Sequence, residues 1–151
     1  MSLEQNKAII RSLYEADNKK DLSILDKYIS PDFFEATLQM RGPEPYKQFE
    51  IMFFKAFPDW QENIEDIIAE GDKVWVYFNA TGRHMGELNM LGITLPPTGK
   101  KVEFKAVQMW RLVDGMVVEK QSVADELEAF KELGLIEPKG EGKKLFPENV
   151  S

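Results

Sequence analysis

The single histidine of this 151-residue chain, His84, is the first side chain whose chemistry stands out. It follows a strand-like run ending at Gly82 and precedes a loop that Pro96 and Pro97 turn. Because imidazole titrates near neutral pH, His84 could shuttle a proton or donate a hydrogen bond to a carbonyl oxygen. A lone histidine in a loop could equally be an ordinary surface group.

Asp125 is a second candidate, in the segment QSVADELEAF between the last predicted strand and the last predicted helix. A buried carboxyl group suits general-base catalysis, because desolvation raises its pKa above the free value of about 4. The same position is also that of a helix N-cap, whose side chain accepts a backbone hydrogen bond and contributes roughly 1 kcal/mol. The residues alone favour the cap.

Other catalytic chemistries find little support. The chain has no cysteine and one histidine, so we expect neither thiol catalysis nor a dedicated transition-metal site. No G-x-S-x-G, H-E-x-x-H or G-x-G-x-x-G motif occurs. A catalytic triad of Ser122, His84 and Asp125 is supported only by the types of these residues. The sequence therefore favours proton-transfer chemistry with no metal and no cofactor.

Length and charge limit the class of protein. A chain of 151 residues has the size of one domain. Its 26 acidic and 19 basic residues give a formal charge of -7, so nucleic acid is not an expected partner. The chain lacks a run of about 18 apolar residues and an N-terminal export signal, so we expect no membrane insertion and a cytoplasmic location.

Hydrophobic periodicity predicts helices first and strands afterwards. A first helix is expected to end near Asn18, and a second, capped by Asp21, is expected to stop at Pro31. A third is expected between Gly42 and Pro58. Alternating patterns predict strands near 60–70, 73–82, 100–113 and 116–125, followed by a helix at about 126–133.

This order of elements indicates an α+β fold. A curved antiparallel sheet should pack on three N-terminal helices, with a short C-terminal helix after it. We expect one domain over residues 1–136. The remainder, 137–151, is rich in Gly, Pro and Lys, which predicts a loosely held C-terminal tail.

Six segments resemble a known family. In chain order they are NKAIIRSLYEADNKKDLSILDKYISPDF, AFPDW, AEGDKV, TGRHMGE, LPPTGKKV and RLVDGMVVE, between Asn6 and Glu119. Together they resemble the SnoaL-like polyketide cyclases, which lie within the nuclear transport factor 2-like superfamily. The resemblance implies that the sheet and helices form a cone around a pocket.

Strand alternation predicts which side chains line such a pocket. On strand 100–113 one face carries Phe104, Ala106, Gln108 and Trp110. On strand 116–125, Gln121 and Asp125 share a face with Val117 and point inward if Val123 is core. From the helical side, the expected wall residues are Tyr14, Phe34, Met40, Phe53 and Phe57, although an ordinary core would also use such residues.

The resemblance also implies roles for individual residues. In these cyclases an aspartate at the junction of the last strand and last helix is the general base, which corresponds to Asp125. His84 corresponds to the histidine of the TGxHxGE segment and, helped by Gln108 or Gln121, would stabilise an enolate. Many relatives have tryptophan in place of Gln121 and polar residues in place of 34–36, so the chain departs from them at the pocket floor.

These roles predict a cofactor-independent enzyme that binds a small apolar, carbonyl-bearing molecule. The reaction would be enolisation followed by aldol ring closure, or a related isomerase or hydratase step. The alternative is a non-catalytic ligand-binding or dimerisation module on the same fold. A homodimer is expected through the outer sheet face, where Val107, Met109 and Arg111 alternate away from the pocket.

Overall fold

Three helices precede the main strands. The computed structural model describes residues 2–147. Helix α1 (Leu3–Asn18) begins at a capping box between Ser2 and Gln5. Helices α2 (Ser23–Tyr28) and α3 (Pro43–Ala56) follow. Each long helix buries one apolar face against the sheet, as periodicity predicts.

Within residues 2–147, eight strands are present. In chain order they are β1 (Ile29–Glu35), β2 (Met40–Arg41), β3 (Gln61–Glu70), β4 (Lys73–Arg83), β5 (Leu88–Met90), β6 (Ile93–Leu95), β7 (Lys101–Val113) and β8 (Met116–Ala124). Six of them form a curved, unclosed sheet in the order β2-β1-β8-β7-β4-β3. Strands β5 and β6 pair with each other as a separate hairpin. The predicted α+β architecture is confirmed.

Strand β1 was not predicted, because Pro31 was expected only to end the second helix and the first strand was expected near residue 60. The strand instead runs through Pro31, and its pairing with β8 is irregular between Ile29 and Phe34. Proline is tolerated in such an irregular stretch, since no ladder hydrogen bond is needed from its nitrogen. The pairing of β1 with β8 is parallel, so the sheet is mixed rather than wholly antiparallel.

A bulge in β8 changes which side chains face the helices. The register pairs Leu112 with Val117 but Arg111 with Glu119, which leaves Val118 as an extra residue. One extra residue moves every later side chain to the opposite face. Val117 is therefore buried, whereas Val123 is 72% exposed. The expectation that the later odd-numbered residues of β8 point inward with Val117 is wrong.

The C-terminal region contains two short helices. Helix α4 (Leu127–Glu132) follows β8, as predicted, and packs against β7. The segment expected to be a tail includes a 3-10 helix, Gly140–Leu145, and Lys131 of α4 lies over the ring of Phe146. The last part of that expected tail, 148–151, lies outside the described residues. No helix in 2–147 has the length and apolar character needed to cross a membrane.

Candidate active site

A cavity of about 170 Å³ lies between the sheet and helices α1 and α3. Leu91, which is 64% exposed in the turn between β5 and β6, lies at its edge and marks the mouth. Aromatic rings form much of the wall: Phe49, Phe53, Phe54, Trp60, Phe78 and Phe104. Such walls suit a flat, largely apolar molecule, which a few polar groups would orient.

Three carboxyl groups and one ammonium group are the polar centre of the cavity. Asp17 comes from α1, Glu50 from α3, Glu62 from β3 and Lys120 from β8. Burial raises the pKa of Asp17 well above its usual range, raises that of Glu50, and raises that of Glu62 to about 7. With one lysine facing them, these carboxyl groups cannot all be ionised cheaply at neutral pH.

Hydrogen bonds with Asn18 and Trp60 hold Glu62 in place. The side-chain amide of Asn18 donates to the Glu62 carbonyl oxygen at 2.8 Å and accepts from the Glu62 N–H at 2.7 Å. The indole Nε1 of Trp60 donates to Glu62 Oε1 at 3.1 Å. Oε2 is buried and has no hydrogen-bond partner among the described residues. Glu62 therefore has one hydrogen-bonded carboxyl oxygen, Oε1, and one without a partner, Oε2.

Gln108 is oriented by a chain of hydrogen bonds. Trp110 Nε1 donates to the Tyr14 hydroxyl oxygen at 3.2 Å, and that hydroxyl donates to Gln108 Oε1. Because Oε1 is occupied in this way, the amide NH₂ of Gln108 is the group left to donate to a ligand. Gln108 lines the cavity. An NH₂ group placed there can bind a carbonyl or enolate oxygen.

Lys120 is the one cationic side chain among the described residues that line the cavity. Its Nζ donates to the Tyr46 hydroxyl at 3.1 Å and lies 5.1 Å from the centre of that ring. It also lies 5.0 Å from the centre of the Trp110 ring. Aromatic faces stabilise a desolvated ammonium group. Lys120 is thus a fixed positive charge that can stabilise negative charge on a bound oxygen.

His84 lies outside the cavity lining. Its ring is fully buried and packs on Phe57, with centroids 5.3 Å apart. Nδ1 accepts from the Thr98 N–H at 3.2 Å, and burial lowers the His84 pKa, so the ring is neutral at pH 7. The backbone of His84 also pairs with Lys100 and Gly99. In this arrangement His84 fastens the Pro-rich loop to the end of α3.

Asp125 and Gln121 are exposed and lie outside the cavity lining, because the bulge in β8 turns them to the other face. The expected inward orientation of both side chains is wrong. The helix-cap alternative for Asp125 is not found either, since the N-cap of α4 is Glu126 and has no side-chain cap hydrogen bond. Glu126 lines the cavity, and burial raises its pKa.

The other expected wall residues divide into three groups. Phe53 and Gln108 line the cavity, and Tyr14 and Trp110 lie behind them. Phe57 and Met40 pack in or against the hydrophobic core, away from the lining. Phe34 also lies outside the lining, with the Arg41 guanidinium 4.5 Å from its ring centre. Of the expected residues, the structure therefore brings together Tyr14 of α1, Phe53 of α3, and Gln108 and Trp110 of β7. It leaves Phe34 of β1, Met40 of β2 and Gln121 of β8 outside the lining.

Sequence patterns did contain a signal for the carboxyl groups that were missed. Asp17 lies three residues after Tyr14, on the apolar face of α1. Glu50 lies four residues after Tyr46, on the buried face of α3. An acidic residue on the apolar face of a helix is costly unless it is protonated or paired. Such residues are candidates for a functional site.

Within residues 2–147, no three histidine or carboxylate side chains are arranged to hold a metal ion. The fold and site together define a small-molecule-binding α+β cone of the nuclear transport factor 2-like class. The SnoaL-like polyketide cyclase family matches residues 7–133. The chain belongs to this family.

Relatives of known name are similar over most of the chain. Aklanonic acid methyl ester cyclase DauD of Streptomyces sp. (strain C5) is 28% identical over 146 residues, which are 92% of this chain and 88% of that protein. The nogalonic acid methyl ester cyclase of Streptomyces nogalater is 29% identical over 124 residues, covering 78% of this chain and 89% of that protein.

Solved structures with the same fold include AclR and IdmH, each more than 25% identical to this chain. AclR, a candidate hydroxylase from Streptomyces galilaeus, has a TM-score of 0.77 at 31% identity, covering 90% of this chain and 100% of AclR. IdmH, a candidate polyketide cyclase from Streptomyces antibioticus, has a TM-score of 0.70 at 28% identity, covering 86% and 99%. AclR is named for hydroxylation and IdmH for cyclisation, so the shared fold does not identify the reaction. The reaction has to be inferred from the side chains of the site.

Proposed function

We propose that this protein is a cofactor-independent cyclase that closes a ring in a small polyketide-type ester by an intramolecular aldol reaction. One observation carries the proposal. A single cavity combines aromatic walls with proton-accepting carboxyl groups and with two donors, Gln108 and Lys120, for an oxygen that becomes negative. The cyclase names of DauD and of the nogalonic acid methyl ester cyclase agree with this reaction.

The proposed reaction needs only proton transfer and charge stabilisation. A carboxylate removes a proton from the carbon beside a carbonyl group, and the electron pair of that C–H bond forms an enolate. The enolate carbon then attacks a second carbonyl group, and the new alkoxide takes the proton back. Donors such as the Gln108 NH₂ and the Lys120 ammonium stabilise the enolate oxygen most when they are already in place before the reaction.

The polar lining favours an enzyme over a non-catalytic binding module. A module that only held an apolar ligand would gain nothing from three carboxyl groups whose burial opposes ionisation. A ligand that enters past Leu91 would meet all of them. Groups with a strongly shifted pKa in a cavity are typical of active sites.

The test compares ring closure by the wild type with that by two variants on β8. Ala124 lines the cavity, whereas Val123 faces outward. With an anthraquinone-type β-keto methyl ester as substrate and chromatography with mass detection, Ala124→Phe should lower closure at least about tenfold, because the ring fills the cavity. Val123→Phe should leave ring closure at about the wild-type level. Equal closure by both variants would place the reaction elsewhere.

We also propose a homodimer formed through the outer sheet face. Of the predicted stripe, Val107 is exposed, whereas Met109 is buried and Arg111 pairs with Glu119 at 3.2 Å. The exposed apolar side chains of this face are Ile68, Trp75, Tyr77, Val107 and Val123. A patch of this kind is typical of an interface. Light scattering should give twice the chain mass of 17.4 kDa, and the mass of one chain would contradict the dimer.

A further inference from the structure

We infer that Glu62 is the residue that removes the proton from carbon, through its Oε2 atom. The inference rests on the proposed function and assigns its base to a residue other than Asp125, the one that the family resemblance implies. Oε2 is buried, lacks a hydrogen-bond partner among the described residues, and belongs to a side chain that lines the cavity. A free, desolvated carboxylate oxygen is the atom best suited to accept a proton.

The position of Glu62 is fixed independently of any ligand. Asn18 holds its backbone through both the N–H and the carbonyl oxygen. Trp60 holds Oε1, and the Trp60 ring is itself buried and packs edge-to-face on Phe53 at 4.8 Å between centroids. A base held in this way loses little conformational freedom when the substrate arrives. Trp60 and Asn18 are positioning residues for Glu62.

Three other carboxyl groups of the cavity, those of Glu35, Glu50 and Asp17, are less suited. In Glu35, Oε2 accepts from the Leu38 N–H, and unlike Glu62 this residue has no buried oxygen that lacks a partner among the described residues. Glu50 is bound by the Tyr46 hydroxyl and lies near Lys120. The pKa of Asp17 is raised well above its usual range by burial and by the charges of Glu50 and Glu62, which disfavours its ionised form. Burial raises the pKa of Glu62 to about 7, so this carboxyl group changes its protonation state near neutral pH.

The proton removed from the substrate stays in the cavity and is returned to the product. The C–H bond breaks, its proton forms a bond to Glu62 Oε2, and the electron pair moves to the carbonyl oxygen as an enolate. Glu62 is then neutral and carries the proton that the product alkoxide needs. Ring closure returns that proton, so the carboxylate is restored without an external acid or base.

The experiment uses proton NMR to measure deuterium uptake by 2-tetralone, a compact benzo-fused ketone whose benzylic carbon beside the carbonyl group is readily enolised. Glu62→Gln should lower the enzyme-dependent exchange rate by about 100-fold or more while the affinity for 2-tetralone stays within about threefold. The matched control is Glu65→Gln on the same strand. Glu65 is exposed and pairs with Lys105, so its variant should exchange within about twofold of wild type.

The pH profile tests the positioning role of Trp60. Exchange by the wild type should rise with pH around an inflection near 7, because Glu62 must be ionised. The hydrogen bond from Trp60 lowers the pKa of Glu62, so Trp60→Phe should move this inflection upward by about half a unit to one unit. An unchanged inflection would overturn the positioning role.

A second readout does not depend on turnover. With glutamate labelled at its carboxyl carbon, NMR should show one side chain titrating near pH 7 in the wild type that is missing from Glu62→Gln. The absence of such a titration would overturn the assignment. Exchange that persists in Glu62→Gln would also overturn it, while leaving the proposed cyclase function intact. No exchange or ring closure by the wild type would instead overturn the function itself.

Discussion

A carboxyl group can act as a base toward carbon near neutral pH if its pKa is raised and one oxygen is unoccupied. Glu62 meets both conditions, because burial raises its pKa to about 7 and Oε2 has no partner among the described residues. Asp125 is not placed to act on a ligand in the cavity, since its side chain is exposed and faces away from it. If Glu62 is the base, its replacement should lower the exchange rate and replacement of Asp125 should not; if Asp125 is the base, the reverse should hold.

Asp125→Asn tests the role that the family resemblance implies. Because the side chain is exposed on the outer face, we expect ring closure and 2-tetralone exchange within about twofold of wild type. The measurement is the same NMR exchange assay, with a urea denaturation curve as the check on folding. A loss of about 100-fold with unchanged stability would restore Asp125 as the base and contradict the assignment to Glu62.

At the residue scale, the sequence predicted part of the site. Phe53 was found because it lies on the apolar stripe of α3, and Gln108 because strand alternation places it inward. The roles of His84 and Asp125 rested on the resemblance, whereas the inward orientation of Asp125 rested on an alternation that the bulge in β8 interrupts. Glu62 was missed because it lies near the start of a strand, where a polar residue is usually solvated.

At the scale of elements, one extra residue in β8 decides the lining of the cavity. Val118 is this residue, and it brings Lys120 inward while turning Gln121 outward. A bulge leaves no clear mark in a run of mixed residues such as 116–125, because the alternation after it is still regular. Strand β7 pairs with β4 without a bulge. Phe104 and Gln108 therefore lie on the face that the alternation predicts.

His84→Ala tests the loop-fastening role at this scale. Removal of a buried ring that packs on Phe57 and accepts from Thr98 should cost about 2–4 kcal/mol of unfolding free energy. Urea denaturation measures the cost. At a temperature where the variant stays folded, exchange should remain within about threefold of wild type. Loss of exchange without loss of stability would instead show that His84 takes part in the chemistry.

At the scale of the whole molecule, the cavity carboxyl groups couple stability to pH. The pKa of Glu62 is about 7 in the folded protein against an ordinary 4.5, so the folded state binds the proton more tightly than the unfolded state does. This stabilisation is fully present below about pH 4.5 and is lost as the pH rises through about 7. The raised pKa values of Asp17 and Glu50 act in the same direction.

The unfolding free energy should therefore fall between about pH 5 and about pH 8, and Glu62→Gln should remove roughly 2–3 kcal/mol of that fall. Urea denaturation at the two pH values measures it. Glu65→Gln is the control, because Glu65 is exposed on the same strand. Stability that rises with pH over this range, or an equal fall in both variants, would contradict the account of the cavity.

The overall architecture was the part of the molecule that the sequence predicted best. Helical and alternating periods are long-range patterns that many residues share, so the order of elements follows from them. The parallel pairing of β1 with β8 joins segments about 85 residues apart and has no local signal. The cavity depends on that pairing, because β1 supplies Glu35 and holds the edge of β8.

The most direct test is a crystal structure of the complex with 2-naphthol, a planar analogue of the 2-tetralone enolate. The naphthol should lie among the aromatic rings of the cavity, with its hydroxyl oxygen within hydrogen-bond distance of Gln108 Nε2 or Lys120 Nζ. The adjacent ring carbon should face Glu62 Oε2. Naphthol bound beside His84 or Asp125, with the cavity empty, would contradict the account.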